Sequence, residues 1–487
     1  MILSLSMPSD YTQHELNRSR LADRLARAVG SERLIADRRR RLYRGGPWGA
    51  GDAGGRFGAT PFLAARPATP EQVAACLGEI ASDGRPALAF GGGTGLTGAG
   101  LPTAETVVLD LSDLDAVALD RPSRRGRVGA GVKLARLDAA AAEVGLLFAH
   151  DPWSQPLASV GGAIATNGVG YLAAGYGPMG AQVLGVQVAL TDGKLVDLPA
   201  ALTSSAGPDL SRLFVGSEGT LGVVTAATVR LFPRPERDLM AGFVFRSFAE
   251  GFAALQEAAD LGLRLAMIDF EEEDEGEEAE LVVAVHGIAG AAEATLERVG
   301  ALATGRGAEP MREREVRRFW RERHASAEHY ARDLAAHRQR LLESDAEPPV
   351  GRARPGGWRY VHVALPAGAA LEYLAAARAR AAERSVELRN AGVWGAPELL
   401  SFVLAGPPRA TEALADALLL EAASRGGSIE YCHGVGLRLG RLMPRALGPA
   451  FPLLERVKQA LDPSGLLNPG KQGLARAGVT DADTEQP

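Results

Sequence analysis

A histidine near the C-terminus lies in a sequence context that suits proton transfer. His433 is followed by Gly434, Val435 and Gly436, so the backbone can turn there and present the imidazole to a ligand. An imidazole titrates near neutral pH and therefore serves as a general acid or base. A lone histidine is more often structural, but these flanking glycines favour a catalytic role for His433.

The stretch AFGGGTGLTGAG, residues 89–100, contains the spacing G-x-G-x-x-G that is typical of dinucleotide-binding loops. A Rossmann loop of that kind needs a helix directly after the third glycine, because the helix N-terminus holds the pyrophosphate. Here Pro102 and the β-rich run TVVLDLS follow instead, which disfavours a Rossmann unit. A glycine-rich turn can also bind phosphate through successive backbone N–H groups. The alternative is a plain connector between strands.

Three further stretches are rich in glycine and small polar residues. They are DPWSQPLASVGGAIATNGVG at 151–170, FVGSEGTLGVVT at 214–225, and HGVG at 433–436 with LDPSGLLNPGK at 461–471. Together with the first stretch, in this order and at these separations, they resemble flavoproteins of the vanillyl-alcohol oxidase and para-cresol methylhydroxylase type. Within that type the chain resembles most the D-lactate dehydrogenase and glycolate oxidase flavin-subunit group, with alkyldihydroxyacetonephosphate synthase next.

The resemblance implies an FAD cofactor, and we expect it to be bound without a covalent link. Residues 90–96 would bind the diphosphate, residues 151–157 and 166–169 would line the ribityl chain and isoalloxazine, and residues 218–224 would hold the adenosine. The FAD-binding residues implied in this way are Phe90, Gly91, Gly92, Gly93, Thr94, Gly95, Leu96, Asp151, Pro152, Ser154, Ser159, Gly162, Thr166, Asn167, Gly168, Glu218, Gly222, Val223, Val224 and Asn468.

The same resemblance implies oxidation of a 2-hydroxy acid such as D-lactate or glycolate. His433 would accept the hydroxyl proton while the α-hydrogen leaves as a hydride to flavin N5. An arginine would bind the substrate carboxylate. The candidates are Arg438, Arg359, Arg318 and Arg321, of which we assign the first two to the site. Two alternatives stay open, namely oxidation of a different alcohol and a redox-neutral FAD transferase similar to the synthase.

The sequence departs from the metal-using members of this group. Those members carry a His-Gly-Asp-Gly-Asn-type stretch and a glutamate directly before the motif histidine. Here residues 391–402 read AGVWGAPELLSF, and Cys432 precedes His433. Carboxylate and imidazole ligands for a divalent ion are thus both missing from the expected places, and we predict no catalytic metal. Cys432 is interpreted as a small buried hydrophobic residue.

Composition excludes several other classes of protein. The chain has 487 residues, of which 46% are hydrophobic and 23% charged, so two or three globular domains are expected. A net charge of −6 gives no electrostatic reason for nucleic-acid binding. No apolar run is long enough for a membrane span, and two cysteines fit a reducing, cytoplasmic location. The sequence is compatible with a homodimer, and it does not identify the electron acceptor.

The secondary-structure elements expected along the chain indicate an α+β fold. A helix is expected after Thr69 and Pro70, a hairpin at Asp192-Gly193, a solvated loop at the acidic run EEEDEGEEAE, and a long helix or helix pair from Met311 to Leu342. The resemblance implies a two-subdomain FAD-binding domain. We predict an N-terminal helical segment (1–56), an FAD-binding domain (57–235), an α+β cap domain (236–430), a flavin-contacting segment (431–473) and a disordered tail (474–487).

Overall fold

The computed structural model describes residues 9–46, 57–276, 278–346 and 357–475. It has the predicted α+β character, with helices packed on three main sheets. The predicted N-terminal segment and C-terminal tail lie partly outside the described residues. Leu474, the first residue of the predicted disordered tail, is buried and so does not belong to such a tail. Within the described part of the chain, none of the helices combines the length and hydropathy that crossing a lipid bilayer would take.

The first unit is a four-stranded sheet covered by two helices. Its elements are α1 (Ser9–Val29), β1 (Leu34–Ile35), β2 (Leu63–Ala65), α2 (Pro70–Ser82), β3 (Ala87–Phe90) and β4 (Val107–Asp110). The strand order is β1-β2-β4-β3, with β2, β4 and β3 parallel. The Thr69 hydroxyl caps α2 by accepting the N–H of Gln72, as the sequence predicts. No helix lies between Gly98 and β4, so the Rossmann alternative is excluded.

The second unit is an antiparallel sheet of five strands in the order β5-β6-β10-β8-β9. The predicted hairpin at Asp192-Gly193 joins β8 to β9. The glycine-rich stretch 151–170 contains a helix, α4, which the Ser159 hydroxyl caps. The elements are β5 (Val117–Asp120), β6 (Arg125–Gly129), α3 (Leu134–Glu143), β7 (Leu146–Leu147), α4 (Val160–Thr166), α5 (Ala173–Tyr176), α6 (Met179–Gln182), β8 (Val183–Ala189), β9 (Leu195–Asp197), β10 (Val223–Arg230) and β11 (Phe232–Pro233).

The third unit is an antiparallel sheet of seven strands in the order β15-β12-β14-β13-β17-β18-β16. Its elements are β12 (Arg237–Phe245), α7 (Phe248–Asp260), β13 (Met267–Glu272), β14 (Ala279–Gly287), α8 (Ala291–Thr304), β15 (Glu309–Pro310), α9 (Glu313–Glu322), α10 (Ala325–Glu343), β16 (Trp358–Ala364), α11 (Ala370–Glu383), β17 (Glu387–Trp394), β18 (Leu399–Ala405) and α12 (Pro408–Ser424). The stretch 311–342 forms a helix pair. The acidic run begins inside β13, where Glu272 is buried against Arg378, so it is not a solvated loop throughout.

The C-terminal segment returns to the first unit. It contains α13 (Met443–Leu447) and α14 (Phe451–Leu461), and Leu467 then forms a parallel bridge with Ala87 of β3. The buried Lys458 ammonium donates to the carbonyls of Thr220 and Leu467, at 2.7 and 2.8 Å. The end of the chain is therefore held against the glycine-rich part of the N-terminal half.

Buried polar contacts join the third unit to the first two. Between α9 and α10, Arg323 Nε and His324 Nε2 lie 2.8 and 2.7 Å from the buried Asp151 carboxylate. Further along α10, the Tyr330 hydroxyl donates to the Gly93 carbonyl at 2.6 Å. The α9–α10 pair thus connects the cap to the loop that follows β3.

Exchange of Asp151 for Asn tests this connection between the units. It removes a buried anion that faces two basic side chains, so we expect the free energy of unfolding to fall by about 3 kcal/mol. The measurement is urea unfolding followed by circular dichroism. Asp197→Asn is the control, because Asp197 pairs with Arg127 at the exposed surface and should cost less than about 1 kcal/mol. Equal losses would contradict a joining role for Asp151.

Candidate active site

A cleft of about 1340 Å³ lies where the first two sheets and the C-terminal segment meet. Its walls are the loop after β3, the residues around α4, the start of β10, and the C-terminal residues 432, 433 and 468. Most of the predicted FAD-binding residues line it, although their binding of FAD stays a prediction. They are Phe90, Gly91, Gly92, Gly93, Thr94, Gly95, Leu96, Pro152, Ser154, Ser159, Gly162, Thr166, Gly168, Glu218, Gly222, Val223, Val224 and Asn468.

The loop after β3 needs glycine for close approach of the backbone. A Cβ at Gly92 would lie 2.5 Å from the Leu157 carbonyl oxygen, so a side chain there would force two chain segments apart. Gly95 differs, because a Cβ built on it meets no atom within 4 Å. Gly95 therefore faces the open cleft, where a bound group can approach the backbone.

Two of the predicted cofactor contacts, Asp151 and Asn167, do not line the cleft. The Asp151 carboxylate pairs with Arg323 and His324. Asn167 ends α4 with a φ of 50°, and its side-chain oxygen accepts the N–H of Gly180 at 2.9 Å. Both side chains thus support the structure around the cleft, and their contact with FAD stays a prediction.

Glu218 holds the loop that carries His433. Both carboxylate oxygens of Glu218 lie 2.9 Å from the N–H of Gly436. The Glu218 carboxylate thus contacts the loop of His433, and its expected contact with adenosine stays a prediction. Burial raises the pKa of Glu218 to about 7, against the lowering effect of the Gly436 N–H.

The first glycine-rich stretch clamps the same loop. The Thr97 carbonyl accepts the N–H groups of Leu437 and Arg438 at 3.0 and 3.1 Å. A Cβ at Gly436 would lie 2.2 Å from that carbonyl oxygen, and Gly436 has a φ of 53°, so only glycine fits. Asn468 completes the clamp by donating to the carbonyls of Ala99 and Glu218 at 3.0 and 2.7 Å. Sequence reasoning missed Thr97.

His433 lies in a cluster with His362 of β16 and Glu430. The two imidazole centroids are 4.6 Å apart, and His362 Nδ1 lies 3.6 Å from Glu430 Oε2. Glu430 Oε1 accepts the N–H groups of Cys432 and His433 at 2.7 and 2.9 Å. No ring nitrogen of His433 bonds to another described residue, which leaves the imidazole available to a ligand.

This cluster corrects the argument against a metal. A carboxylate and a second imidazole do accompany His433, but they come from Glu430 and His362 rather than from the expected positions. One ligand atom of each of the three residues lies within 4.8 Å of the others, and two histidines with a glutamate form a known zinc-ligand set. These residues could therefore hold a divalent ion.

Burial and neighbouring charges set the protonation of the cluster. Burial and the nearby His362 lower the pKa of His433 to about 4. Burial alone would raise the pKa of Glu430, but the two imidazoles and the His433 N–H lower it to about 2. At neutral pH the cluster thus holds a neutral His433 beside an ionised Glu430. Its surroundings also raise the pKa of the Cys432 thiol, mainly by desolvation. Cys432 nevertheless keeps partial exposure and lines the cleft, which corrects its interpretation as a buried hydrophobic residue.

The two candidate arginines differ in their partners. The guanidinium of Arg438 has no hydrogen-bond or ion-pair partner among the described residues. Burial and the nearby Arg359 lower the pKa of Arg438 to about 10, so an anion placed there would be favoured. Arg359 lies 3.8 Å from a carboxylate oxygen of Glu412 and donates to the Trp358 carbonyl. Arg438 is therefore the better candidate for a carboxylate.

The Gly95→Ala exchange tests whether FAD occupies the cleft. The added methyl group has free space in the protein without cofactor, so the stability of that form should not change. It would crowd a bound cofactor, and we expect the Kd for FAD to rise about tenfold. Gly368→Ala is the control, because Gly368 also has open space but lies outside the cleft. Equal FAD affinity in both variants, measured by flavin fluorescence quenching, would contradict this placement.

Comparisons with known proteins agree with this geometry. Residues 61–199 match the FAD binding domain family, and residues 234–472 match the C-terminal domain of FAD linked oxidases. The chain is 30% identical to a D-lactate dehydrogenase of Archaeoglobus fulgidus, covering 84% of this chain and 91% of the relative. It is 31% identical to the glycolate oxidase subunit GlcD of Escherichia coli K12, covering 84% and 83%.

Solved structures show the same fold. A 4-ethylphenol oxidase from Gulosibacter chungangensis superimposes with a TM-score of 0.71, at 17% identity and with coverage of 98% of this chain and 99% of that one. An alkyldihydroxyacetonephosphate synthase gives a TM-score of 0.65 at 17% identity, covering 84% and 77%. With both domains matched and full-length relatives at this identity, the chain belongs to the FAD-linked oxidase family and is an FAD-dependent oxidoreductase.

Proposed function

We propose that this protein oxidises a 2-hydroxy acid with FAD. The observation that carries the proposal is that His433, a neutral imidazole that lines the cleft, is followed five residues later by Arg438, and that neither ring nor guanidinium has a hydrogen-bond partner among the described residues. Arg438 lies close enough to His433 to add, after burial and His362, to the lowering of the His433 pKa. A base and a cation would thus be offered together to the hydroxyl and the carboxylate of one small substrate. The similarity to a D-lactate dehydrogenase and to a glycolate oxidase subunit supports the same substrate class.

The glycine-rich lining of the cleft would hold FAD mainly through backbone groups. Backbone N–H groups from Gly91 to Gly95 would hold the diphosphate, and the residues from Ser159 to Gly168 would line the ribityl and ring portions. When bound, FAD accepts the two electrons of the oxidation as a hydride. Non-covalent binding remains part of the proposal, although His150 also lines the cleft with a buried Nδ1 that has no partner among the described residues.

His433 would act as the base toward the substrate hydroxyl. Its low pKa keeps a ring nitrogen unprotonated at neutral pH, so that nitrogen can accept the proton as the α-hydrogen leaves. Glu430 fixes the backbone on which His433 sits, and its ionised carboxylate would favour the imidazolium formed after proton transfer.

Arg438 would bind the substrate carboxylate. A guanidinium without a protein partner can form two parallel hydrogen bonds to a carboxylate, which fixes its orientation as well as its position. Arg438 follows His433 by five residues on a loop held by Thr97 and Glu218. The distance between the proposed base and the proposed carboxylate-binding group would therefore stay nearly constant. This arrangement would orient the α-hydrogen toward the cleft.

Anaerobic mixing with candidate substrates tests the proposal. The FAD-loaded protein is mixed separately with D-lactate, glycolate and D-2-hydroxyglutarate, and the flavin absorbance is followed. We expect bleaching with at least one of them. Absence of bleaching together with exchange of the acyl group of an acyl-glycerone phosphate would contradict the proposal and favour a redox-neutral transferase. Bleaching by a simple alcohol but by no hydroxy acid would also contradict it.

The His433→Ala exchange removes the proposed base. We expect the first-order rate of flavin reduction to fall by about 10²–10⁴-fold while FAD content stays unchanged. Stopped-flow absorbance measures the rate. His329→Ala is the control, because His329 is exposed on α10 and its loss should leave the rate unchanged. Reduction of the His433→Ala variant at the wild-type rate would refute the assignment.

The pH dependence of flavin reduction reports the protonation of His433. Since its pKa is lowered to about 4, the unprotonated base persists above that pH and is lost as the pH falls through about 4. The rising limb of the rate should therefore lie near pH 4. A rising limb near the ordinary histidine value, about 6.5, would contradict this. Glu218→Gln is measured in parallel, because the Glu218 carboxyl contacts the His433 loop through the Gly436 N–H and has a pKa raised to about 7.

Metal analysis distinguishes a free base from a metal-bound imidazole. If the ring nitrogen of His433 accepts the substrate proton, it cannot also ligate an ion, so we expect dialysis against EDTA to leave flavin reduction unchanged. Elemental analysis should find less than about one ion per ten chains. One zinc ion per chain, with reduction lost on its removal and restored on its return, would reassign the cluster of His362, Glu430 and His433 as a metal site.

A further inference from the structure

One face of β16 carries a row of rings from the surface to the proposed base. Trp358, Tyr360 and His362 alternate along the strand and so point to the same face. Their relative exposures are 50%, 41% and 2%, so the row passes from solvent to the interior. The Trp358 and Tyr360 ring centroids lie 4.8 Å apart, and those of Tyr360 and His362 lie 5.6 Å apart.

The inner end of this row reaches His433. The Tyr360 ring centroid lies 6.4 Å from that of His433, and the His362 centroid lies 4.6 Å from it. A substrate side chain that follows this row from His433 would meet Tyr360 first and then Trp358. Arg438 lies close enough to Tyr360 to lower the pKa of its hydroxyl against the raising effect of burial. The carboxylate-binding group thus lies beside the same rings.

The exposure of these two rings is unusual for this chain. Nine large hydrophobic side chains of the described residues are exposed by more than a third, and Trp358 and Tyr360 are the aromatic ones. They are also adjacent, in an edge-to-face arrangement at 81°. Adjacent exposed aromatic side chains beside a binding site are typical of surfaces that pack against a ligand.

We propose that Trp358 and Tyr360 form a subsite for an aromatic side chain of the substrate. The preferred substrate class is then a 2-hydroxy acid with an aryl group on carbon 3, such as D-3-phenyllactate, rather than lactate or glycolate. This inference rests on the proposed function, because it places the hydroxyl at His433 and the carboxylate at Arg438. Glycolate has no side chain and lactate has one methyl group, so neither would cover these rings.

Burial of aromatic surface is the energetic reason why this subsite would favour an aryl substrate. A phenyl group that packs on Tyr360 and Trp358 removes its own apolar area and part of theirs from water, which favours binding in proportion to that area. Edge-to-face or offset stacking adds to this gain. Discrimination between a phenyl and a methyl group by such a wall is of order tenfold to a hundredfold.

A binding experiment tests the subsite without requiring turnover. The Kd values of 3-phenylpropanoate and propanoate, which lack the reacting hydroxyl, are measured on the FAD-loaded full chain by perturbation of the flavin spectrum. We expect the phenyl compound to bind at least tenfold more tightly. Trp358→Ala should reduce this ratio about tenfold, and Trp358→Phe should keep most of it. Ile288→Ala is the control, because Ile288 is 67% exposed elsewhere on the cap, and it should leave the ratio unchanged.

A kinetic experiment then links the subsite to the reaction. The ratio of kcat/KM for D-3-phenyllactate to that for D-lactate should exceed about ten and fall about tenfold in Trp358→Ala. Equal affinities for the two acids in the first experiment, or a ratio insensitive to Trp358→Ala, would overturn the subsite. If the acids bind with the expected ratio but no hydroxy acid reduces the flavin, the proposed function fails while the aromatic subsite stands.

Discussion

The arrangement of the active site depends on the buried contact between the Glu218 carboxylate and the backbone N–H of Gly436. This contact joins residues 218 positions apart in the chain, and it places a carboxyl acceptor where water is excluded. A buried polar group is costly unless it is hydrogen-bonded, so Glu218 and the C-terminal loop stabilise each other. The close approach of Gly436 to the Thr97 carbonyl gives the same loop a second fixed point.

Two consequences follow for the chemistry. The loop that these contacts fix carries both His433 and Arg438, so the proposed base and the proposed carboxylate clamp move as one unit. The cap domain supplies His362 and the exposed rings of β16 from the other side, and the α9–α10 pair anchors the cap through Asp151 and Tyr330. In the proposed arrangement the N-terminal units would hold the cofactor, while the third unit and the C-terminal loop would contact the substrate.

Sequence reasoning worked where function requires a local backbone shape. Neighbouring residues determine these local structures, namely the glycine-rich loops, the capped helix after Thr69, the hairpin at Asp192-Gly193 and the HGVG turn. It failed where a side chain has a distant partner. Asp151 pairs with residues 172 and 173 positions away, and His362 joins His433 only because β16 and the C-terminal segment meet in space. Glu430 lies three residues before His433, whereas the family pattern places a glutamate directly before the histidine, so the pattern did not identify Glu430.

The proposed reaction requires that FAD lies in the cleft with its reactive ring facing His433. A crystal structure of the FAD-loaded protein with a bound 2-hydroxy acid tests this placement most directly. We expect the diphosphate on the loop from Gly91 to Gly95, the substrate hydroxyl within hydrogen-bond distance of His433, and the carboxylate on Arg438. A reversed cofactor, with the adenine beside His433, or a substrate bound away from His433 and Arg438, would contradict it.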